Sequence, residues 1–175
     1  MKKSTRKEYP LSPRKVIKKT IASTLAWTLF LFFLWGVVAV ASSLDTSNLS
    51  FLFNAGTIVI VILLAIIIIP TYLYQRWYFA TYHYDLADDY IVIKKNPITP
   101  KEITIPYERI QDVYVDQDIL DRMFGLYDVY LSSATVSSGM EAHIDGVDKT
   151  AAEGLRAALL QTVKDRISKS KKTKA

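Results

Sequence analysis

Two uncharged, apolar runs, Ile21 to Ala41 and Phe51 to Leu73, constrain this chain more than any other feature. Between Lys19 and Arg76 the sequence has one charged side chain, Asp45. About 20 apolar residues at helical rise cross roughly 30 Å of hydrocarbon, where only a helix or a closed barrel satisfies its own backbone hydrogen bonds. The pattern predicts a two-helix membrane hairpin over residues 21–76, with helices at about 21–41 and 51–74.

Two other interpretations of these runs stay open. A buried helix pair in a soluble protein would normally keep a polar stripe, and neither run has one. The tripeptide Ala39-Val40-Ala41 resembles a signal-peptide cleavage site. The run before it is longer than the ~7–15 residues of a signal core, which favours an uncleaved anchor.

The basic residues predict the orientation of the hairpin. The turn Ser42 to Ser50 has no Lys or Arg, whereas the segment before Ile21 is strongly basic. Its basic residues are Lys2, Lys3, Arg6, Lys7, Arg14, Lys15, Lys18 and Lys19. By the positive-inside rule we expect a two-pass protein of the cell membrane with both termini in the cytoplasm.

The net charge of +5 hides a division of sign along the chain. The first 20 residues carry +7 and residues 164–175 carry +5, whereas residues 76–163 carry −6. We expect the positive charge to lie in flexible tails, where anionic lipid attracts each Lys or Arg by about 1 kcal/mol. A basic composition arranged in this way does not indicate nucleic acid binding.

The sequence gives no pattern for a metal, a cofactor or a catalytic group. Cysteine is absent, and His83 and His143 are the only histidines. The aspartates between Asp112 and Asp121 lack the central glycine and terminal glutamate of a calcium loop. We therefore predict a non-catalytic protein without a cofactor.

Residues 77–167 read as one small α+β domain. Alternating apolar residues predict strands at about 81–86, 90–95 and 103–106, and a turn or bulge at 107–112 absorbs a slip in the alternation. Asp118 can cap a helical turn that Gly125 ends, before strands at 127–131 and about 141–146 with a loop at 132–139. After Asp148, apolar residues at helical spacing predict a helix to Ile167.

Two segments resemble the signature of a known family. The segments are Ile105 to Val113, IPYERIQDV, and Leu120 to Val129, LDRMFGLYDV. They are similar to the bacterial pleckstrin-homology-like (PH-like) domain, which often follows two transmembrane helices. The resemblance implies an antiparallel barrel or split sheet with a C-terminal helix over residues 77–167, between a basic N-terminal segment at 1–20 and a basic tail at 168–175.

The resemblance implies structural roles for the signature residues Pro106, Arg109, Ile110, Gly125 and Leu126. For Arg109 we expect an ion pair with a neighbouring carboxylate of Glu108, Asp112 or Asp121, and binding of a lipid phosphate is the alternative. The turn that often holds glycine in the family is Asn96-Pro97 in this chain.

Three functions follow from this organisation. The first is a non-catalytic assembly or scaffold protein that binds itself or another membrane protein through a strand edge or groove. The second is a sensor of anionic membrane lipids that uses Lys94, Lys95 and Lys101. The third, an enzyme, would require one of the histidines to lie beside a carboxylate inside a cleft.

Overall fold

The computed structural model describes residues 5–44, 50–133 and 142–174. The chain divides into two compact units, one made of residues 1–18 and 77–175 and the other of residues 19–76. The first unit therefore combines the N-terminal segment with everything that follows the apolar helices.

Two long helices contain the apolar runs, and both extend beyond the predicted bounds. Helix α2 runs from Arg14 to Leu44 and helix α3 from Ser50 to Thr81, after a short helix α1 at Thr5–Glu8. By length and composition both long helices can cross a membrane. Their apolar side chains are largely exposed, as in Phe32 and Phe33 at 66% and 67%, whereas helices in the core of a soluble protein would bury them. These helices support membrane association.

The first unit has two antiparallel three-stranded sheets. One sheet has the order β1-β2-β3 and the other the order β4-β5-β6. The strands are β1 His83–Leu86, β2 Tyr90–Lys95, β3 Lys101–Pro106, β4 Ile110–Asp116, β5 Leu126–Ser133 and β6 His143–Asp148. No strand pairing joins the two sheets within the described residues, so the prediction of an α+β domain with a split sheet is confirmed.

Local sequence signals account for the connections between the strands. A 3₁₀ turn at Tyr107–Arg109 leads into a register shift between Ile110 and Asp112, which is the predicted bulge. Helix α4, Ile119–Phe124, begins with a capping box on Asp118 and ends at Gly125, whose φ of +66° is left-handed. Asn96 adopts the same region, φ +68°, in the turn where the family often has glycine.

Both sheets and the C-terminal helix α5, Lys149–Lys174, share one core. Its largest fully buried side chains are those of Tyr82, Tyr84, Tyr107, Ile91, Ile93, Leu126, Leu131, Ile144, Leu155 and Leu159. Because α5 continues to Lys174, the predicted basic tail is helical up to that residue. Strand β5 extends to Ser133, so it includes the first two residues of the predicted loop at 132–139. The rest of that loop, residues 134–139, lies outside the described residues, as does Glu141 at the start of the last predicted strand.

The N-terminal segment is part of the domain rather than a flexible tail. Leu11 is buried in the core and forms an antiparallel bridge with Val147 at the edge of β6. The Ser12 N–H donates to the Gly146 carbonyl at 2.9 Å, and the Tyr84 hydroxyl donates to the Tyr9 carbonyl. The expectation of a free basic tail was wrong for residues 5–18, because this segment covers a sheet edge that would otherwise expose unpaired backbone groups.

Candidate functional site

A buried lysine at the start of α2 binds β6. The Lys15 ammonium lies 3.1 Å from an Asp145 carboxylate oxygen and donates to the Asp145 backbone carbonyl at 2.9 Å. The two side chains are only 2% and 4% exposed. The same ammonium stands 4.0 Å from the centre of the Tyr82 ring, close enough for a cation–π contact. A residue predicted to set membrane orientation therefore also belongs to the domain interior.

Lys18, one turn further along α2, binds helix α4. Its ammonium lies 2.6 Å from the Asp121 carboxylate, which is buried, and 3.0 Å from that of Asp118. Burial acts to raise the pKa of Asp118. The hydrogen bonds that its carboxylate accepts from the Asp121 backbone N–H and from Lys18 outweigh burial and lower that pKa. The two aspartates that form the capping box of α4 thus also hold the last residue of the N-terminal segment.

Two more carboxylates near the N-terminal segment, those of Asp128 and Asp85, have shifted pKa values. Burial, with the nearby charge of Asp145, raises the pKa of Asp128 to about 6, although Asp128 accepts a 2.7 Å hydrogen bond from the Gly146 N–H. Burial also acts to raise the pKa of Asp85, but hydrogen bonds from the hydroxyl and backbone N–H of Thr5 outweigh it and lower that pKa. The N-terminal segment is thus held by carboxylates of both sheets.

Three rings form a row across the outer face of the second sheet. Tyr114 on β4 stacks on Tyr130 of β5, with centroids 5.1 Å apart and planes 6° apart. Tyr130 stacks in turn on His143 of β6, again with 5.1 Å between centroids. Tyr130 lies between the buried Val129 and Leu131, so its ring projects from the face opposite the core. We call Tyr114, Tyr130 and His143 the aromatic row.

The three lysines predicted to contact lipid lie at one end of the β2–β3 hairpin. Lys95 pairs in register with Lys101, and Lys94 pairs with Glu102. The Lys94 ammonium is 3.0 Å from the Glu102 carboxylate, with both side chains 53% exposed. The Lys95 ammonium lies 3.5 Å from Nδ1 of His143 and 5.8 Å from the Tyr82 ring. The hairpin places the three lysines at one end of the sheet, with the adjacent Lys94 and Lys95 on opposite faces.

The signature residues occupy two turns. Ile110 and Leu126 are core residues, at 6% and 0% exposed, and Gly125 supplies the left-handed end of α4. Pro106 ends β3 with an exposed ring. Arg109 is exposed, and the expected ion pair with Glu108, Asp112 or Asp121 is absent among the described residues, because Asp121 pairs with Lys18.

The described residues assemble no nucleophile with a base. The His143 Nε2 is 3.9 Å from the Asp145 carboxylate, beyond hydrogen-bond reach. A cleft of about 440 Å³ opens beside α5, but its lining contains no histidine. It is lined by Thr5, Glu8, Tyr9, Leu86, Ala87, Asp88, Tyr107, Ala158, Thr162, Asp165 and Arg166. No group of three metal-ligating side chains occurs in the described part of the chain.

The fold and its contacts define a class: two apolar helices that lead directly into a split-sheet PH-like domain. Comparison with protein families matches residues 21–163 to the bacterial PH domain. The match spans both apolar runs and the six strands of the described residues, and the chain belongs to this family. No curated protein and no solved structure gives a significant match. Domains of this fold are generally non-catalytic and commonly bind lipids or proteins.

Sequence reasoning missed the charged contacts of the N-terminal segment. They join residues more than 100 positions apart, such as Lys15 to Asp145 and Lys18 to Asp121, so no local periodicity reveals them. One signal was available: the segment carries +7 and residues 76–163 carry −6, which is the complementarity expected of two surfaces that pack together.

Proposed function

We propose that this protein is a two-pass, non-catalytic assembly protein of the cell membrane, with both termini in the cytoplasm. Its PH-like domain binds a segment of another membrane protein across the aromatic row. The single observation that carries this proposal is the exposed stack of Tyr114 on Tyr130, with Tyr114 45% exposed. Aromatic side chains dominate the energetics of protein interfaces, and a stacked pair is already ordered before binding.

The contacts of β4 favour its outer face over its edge as the binding surface. The Leu131 N–H donates to the Ala142 carbonyl, on the side of β5 that faces away from β4. Leu131 and its partner Val113 are therefore a non-hydrogen-bonded pair, and the backbone groups of Val113 point away from β5. The Val113 carbonyl accepts from Arg156 Nε at 3.3 Å, and its N–H donates to Asp112 at 2.8 Å. These bonds block strand addition at this point, as in other protected sheet edges.

The carboxylates beside the Tyr114 end of the aromatic row favour a basic partner segment there. Asp112 and Asp116 are exposed on either side of Tyr114, and β4 carries no Lys or Arg. A segment with Lys or Arg side chains would complement these carboxylates and could place a cation over a Tyr ring. A second copy that set β4 against β4 would bring acidic groups against acidic groups, which is unfavourable.

The two helices that can cross a membrane favour a partner that is itself membrane-bound. Confinement to one membrane raises the effective concentration of such a partner without new contacts.

The test is affinity purification of the full-length protein from its native membrane, followed by mass spectrometry and sizing. The variant Tyr114→Ala/Tyr130→Ala should lose a stoichiometric membrane-protein partner that the native chain retains. Tyr90→Ala, which truncates a tyrosine of similar exposure at 42%, is the matched control and should retain it. Retention of the partner by the double variant, or recovery of a homo-oligomer alone, would contradict the proposal.

A second function, sensing of anionic lipid, is supported by the position of Lys94, Lys95 and Lys101 at the same end of the β2–β3 hairpin. Lys95 lies beside the Tyr82 ring, one residue after the end of α3. Hydrogen exchange of the full-length protein in nanodiscs would detect this role. Protection of β2 and β3 amides that rises with phosphatidylglycerol content and falls with salt would favour lipid sensing.

A further inference from the structure

Strand β3 is a sheet edge that the described residues leave open, in contrast to the other edges of the two sheets. At the edge of β6 the Gly146 carbonyl accepts from the N-terminal segment, and at the edge of β1 the Leu86 N–H donates to that segment. On β4 both backbone groups of Val113 bond to side chains. Strand β3 pairs only with β2 in the described part of the chain. Because sheet edges are normally covered against pairing with other chains, an open edge beside covered ones indicates that this edge is used.

The hydrogen bonds of β2 show which backbone groups of β3 point to the open side. The Tyr107 N–H, directly after β3, donates to the Asp89 carbonyl at 3.2 Å, so these two residues are a hydrogen-bonded pair. Bonded and non-bonded pairs alternate along an antiparallel ladder, and the register of β2 and β3 continues from this pair. Glu102 and Thr104 therefore direct their N–H and carbonyl groups away from β2. Pro106, the next residue in this series, has no N–H, which suits an outward position on an edge strand.

The open groups of β3 are complementary to a second copy of the same strand. An antiparallel copy centred on Ile103 sets Glu102 of each chain opposite Thr104 of the other, where each pair can exchange two backbone hydrogen bonds. The same arrangement sets Lys101 opposite Ile105 and Ile103 opposite itself, so no like charges lie directly opposite each other. Pairing of identical surfaces about a two-fold axis is the commonest geometry of a homodimer.

The two neighbouring registers of this pairing are less favourable. A centre at Glu102 sets the Glu102 carboxylates of the two chains directly opposite each other. A centre at Thr104 sets Glu102 opposite Pro106, which has no N–H to donate. The charge at one end of the strand and the proline at the other thus select the register centred on Ile103.

The pairing is short, so we expect a reversible dimer. Contacts limited to residues 101–105 bury much less than the roughly 1,200–2,000 Å² of a stable protein interface. Helices α2 and α3 can confine the chains to a membrane, which raises the concentration of one copy near another. The dimer should therefore form in the membrane and dissociate as the chains are diluted with lipid.

We propose that two copies of this protein associate through β3, in an antiparallel pairing centred on Ile103 that joins their β1-β2-β3 sheets into one continuous sheet. This inference goes beyond the partner surface at the aromatic row, which lies on the second sheet. It commits to a second copy of this chain as the occupant of the edge.

The absence of cysteine from the chain makes a cross-linking test direct. The full-length variant Thr104→Cys places its thiol on the outer face of β3, roughly 9 Å from the same residue of the other copy by strand spacing and a two-residue offset. The control Tyr90→Cys lies on the same face of β2, roughly 25 Å from its counterpart by the same geometry. Membranes that contain either variant are treated with a short bismaleimide, and the products are identified by mass spectrometry.

A second measurement removes one backbone donor of the edge. Thr104→Pro removes the outward N–H without removing a bond to β2, whereas Thr104→Ala keeps that N–H. Association of the full-length chains is followed by energy transfer between fluorescently labelled copies in phosphatidylcholine vesicles, over a series of protein-to-lipid ratios. Because each dimer loses two hydrogen bonds, Thr104→Pro should weaken association about tenfold or more, and Thr104→Ala should leave it unchanged.

We expect a covalent dimer joined at residue 104 and no dimer from Tyr90→Cys. Equal linking of the two variants, a link from residue 104 to a different protein, or equal association of Thr104→Pro and Thr104→Ala would overturn the proposal. If Thr104→Pro loses the native near-ultraviolet circular dichroism spectrum, the cross-linking of Thr104→Cys decides the question. A β3-linked dimer that retains no other membrane protein would support this inference and contradict the partner proposed at the aromatic row, so the two proposals can fail separately.

Discussion

Replacing Lys15 by methionine removes a buried cation while keeping most of the apolar stem. The Asp145 carboxylate, 4% exposed, would then lose the ammonium that lies 3.1 Å away. Breaking one side of a buried pair costs about 3–5 kcal/mol, because the remaining charge is left desolvated. Against a total stability of about 5–15 kcal/mol, we expect Lys15→Met to remove a large share of the domain's free energy of unfolding.

Pulse proteolysis of the full-length protein in nanodiscs, over a series of urea concentrations, measures this loss. With a urea dependence of about 1–3 kcal/mol per molar, the midpoint should fall by roughly 2 M. Lys7→Met, which removes an exposed lysine of the same segment, should leave the midpoint unchanged. The double variant Lys15→Met/Asp145→Asn should recover part of the loss, since it leaves no unpaired charge. A Lys15→Met midpoint equal to that of Lys7→Met would refute a stabilising role for this contact.

Three further predictions concern the same region. Burial raises the pKa of Asp128 from 3.8 to about 6, so its contribution to stability is complete below pH 3.8 and is lost as pH rises through 6. This loss amounts to about 3 kcal/mol in the free energy of unfolding, and Asp128→Asn should abolish it in unfolding measured as a function of pH. Gly146→Ala places a Cβ 2.7 Å from the buried Lys15 side chain, at a residue whose φ is +78°. It should lower the free energy of unfolding in urea by about 2–4 kcal/mol. The loss should be smaller for Gly125→Ala, whose Cβ meets nothing closer than 3.6 Å. Asp118→Ala should cost about 1 kcal/mol and Asp118→Ser much less, because serine retains the N-cap; equal losses for these two variants would exclude the cap as the cause.

Signals that act over a few residues predicted much of the fold. Strand β2 has the predicted bounds Tyr90–Lys95, and α4 has its predicted cap at Asp118 and its end at Gly125. The slip in alternation before Val113 corresponds to the register shift between Ile110 and Asp112. In each case the information lies in the backbone preferences of one or two residues, so it can be read without the rest of the chain.

The candidate site was not predictable in this way. The N-terminal segment reads as polar and basic, and its two anchors in the core, Leu11 and Val16, are isolated apolar residues without a period. The bridge from Leu11 to Val147 depends on β6 being an edge strand of the folded sheet, which is not visible near Leu11 in the sequence. The exposure of Tyr114, Ile119 and Met123 also depends on which side of each element the core occupies, and a one-residue slip would reverse it.

The lysines that precede the first span carry two physical roles at once. As basic residues before an apolar helix they favour a cytoplasmic N-terminus, and through Asp145 and Asp121 they hold the domain to that helix. Buried ion pairs add little net stability compared with apolar packing, but they tolerate only one geometry. Two such pairs, one helical turn apart at Lys15 and Lys18, therefore restrict how the domain packs on residues 14–18 at the start of α2.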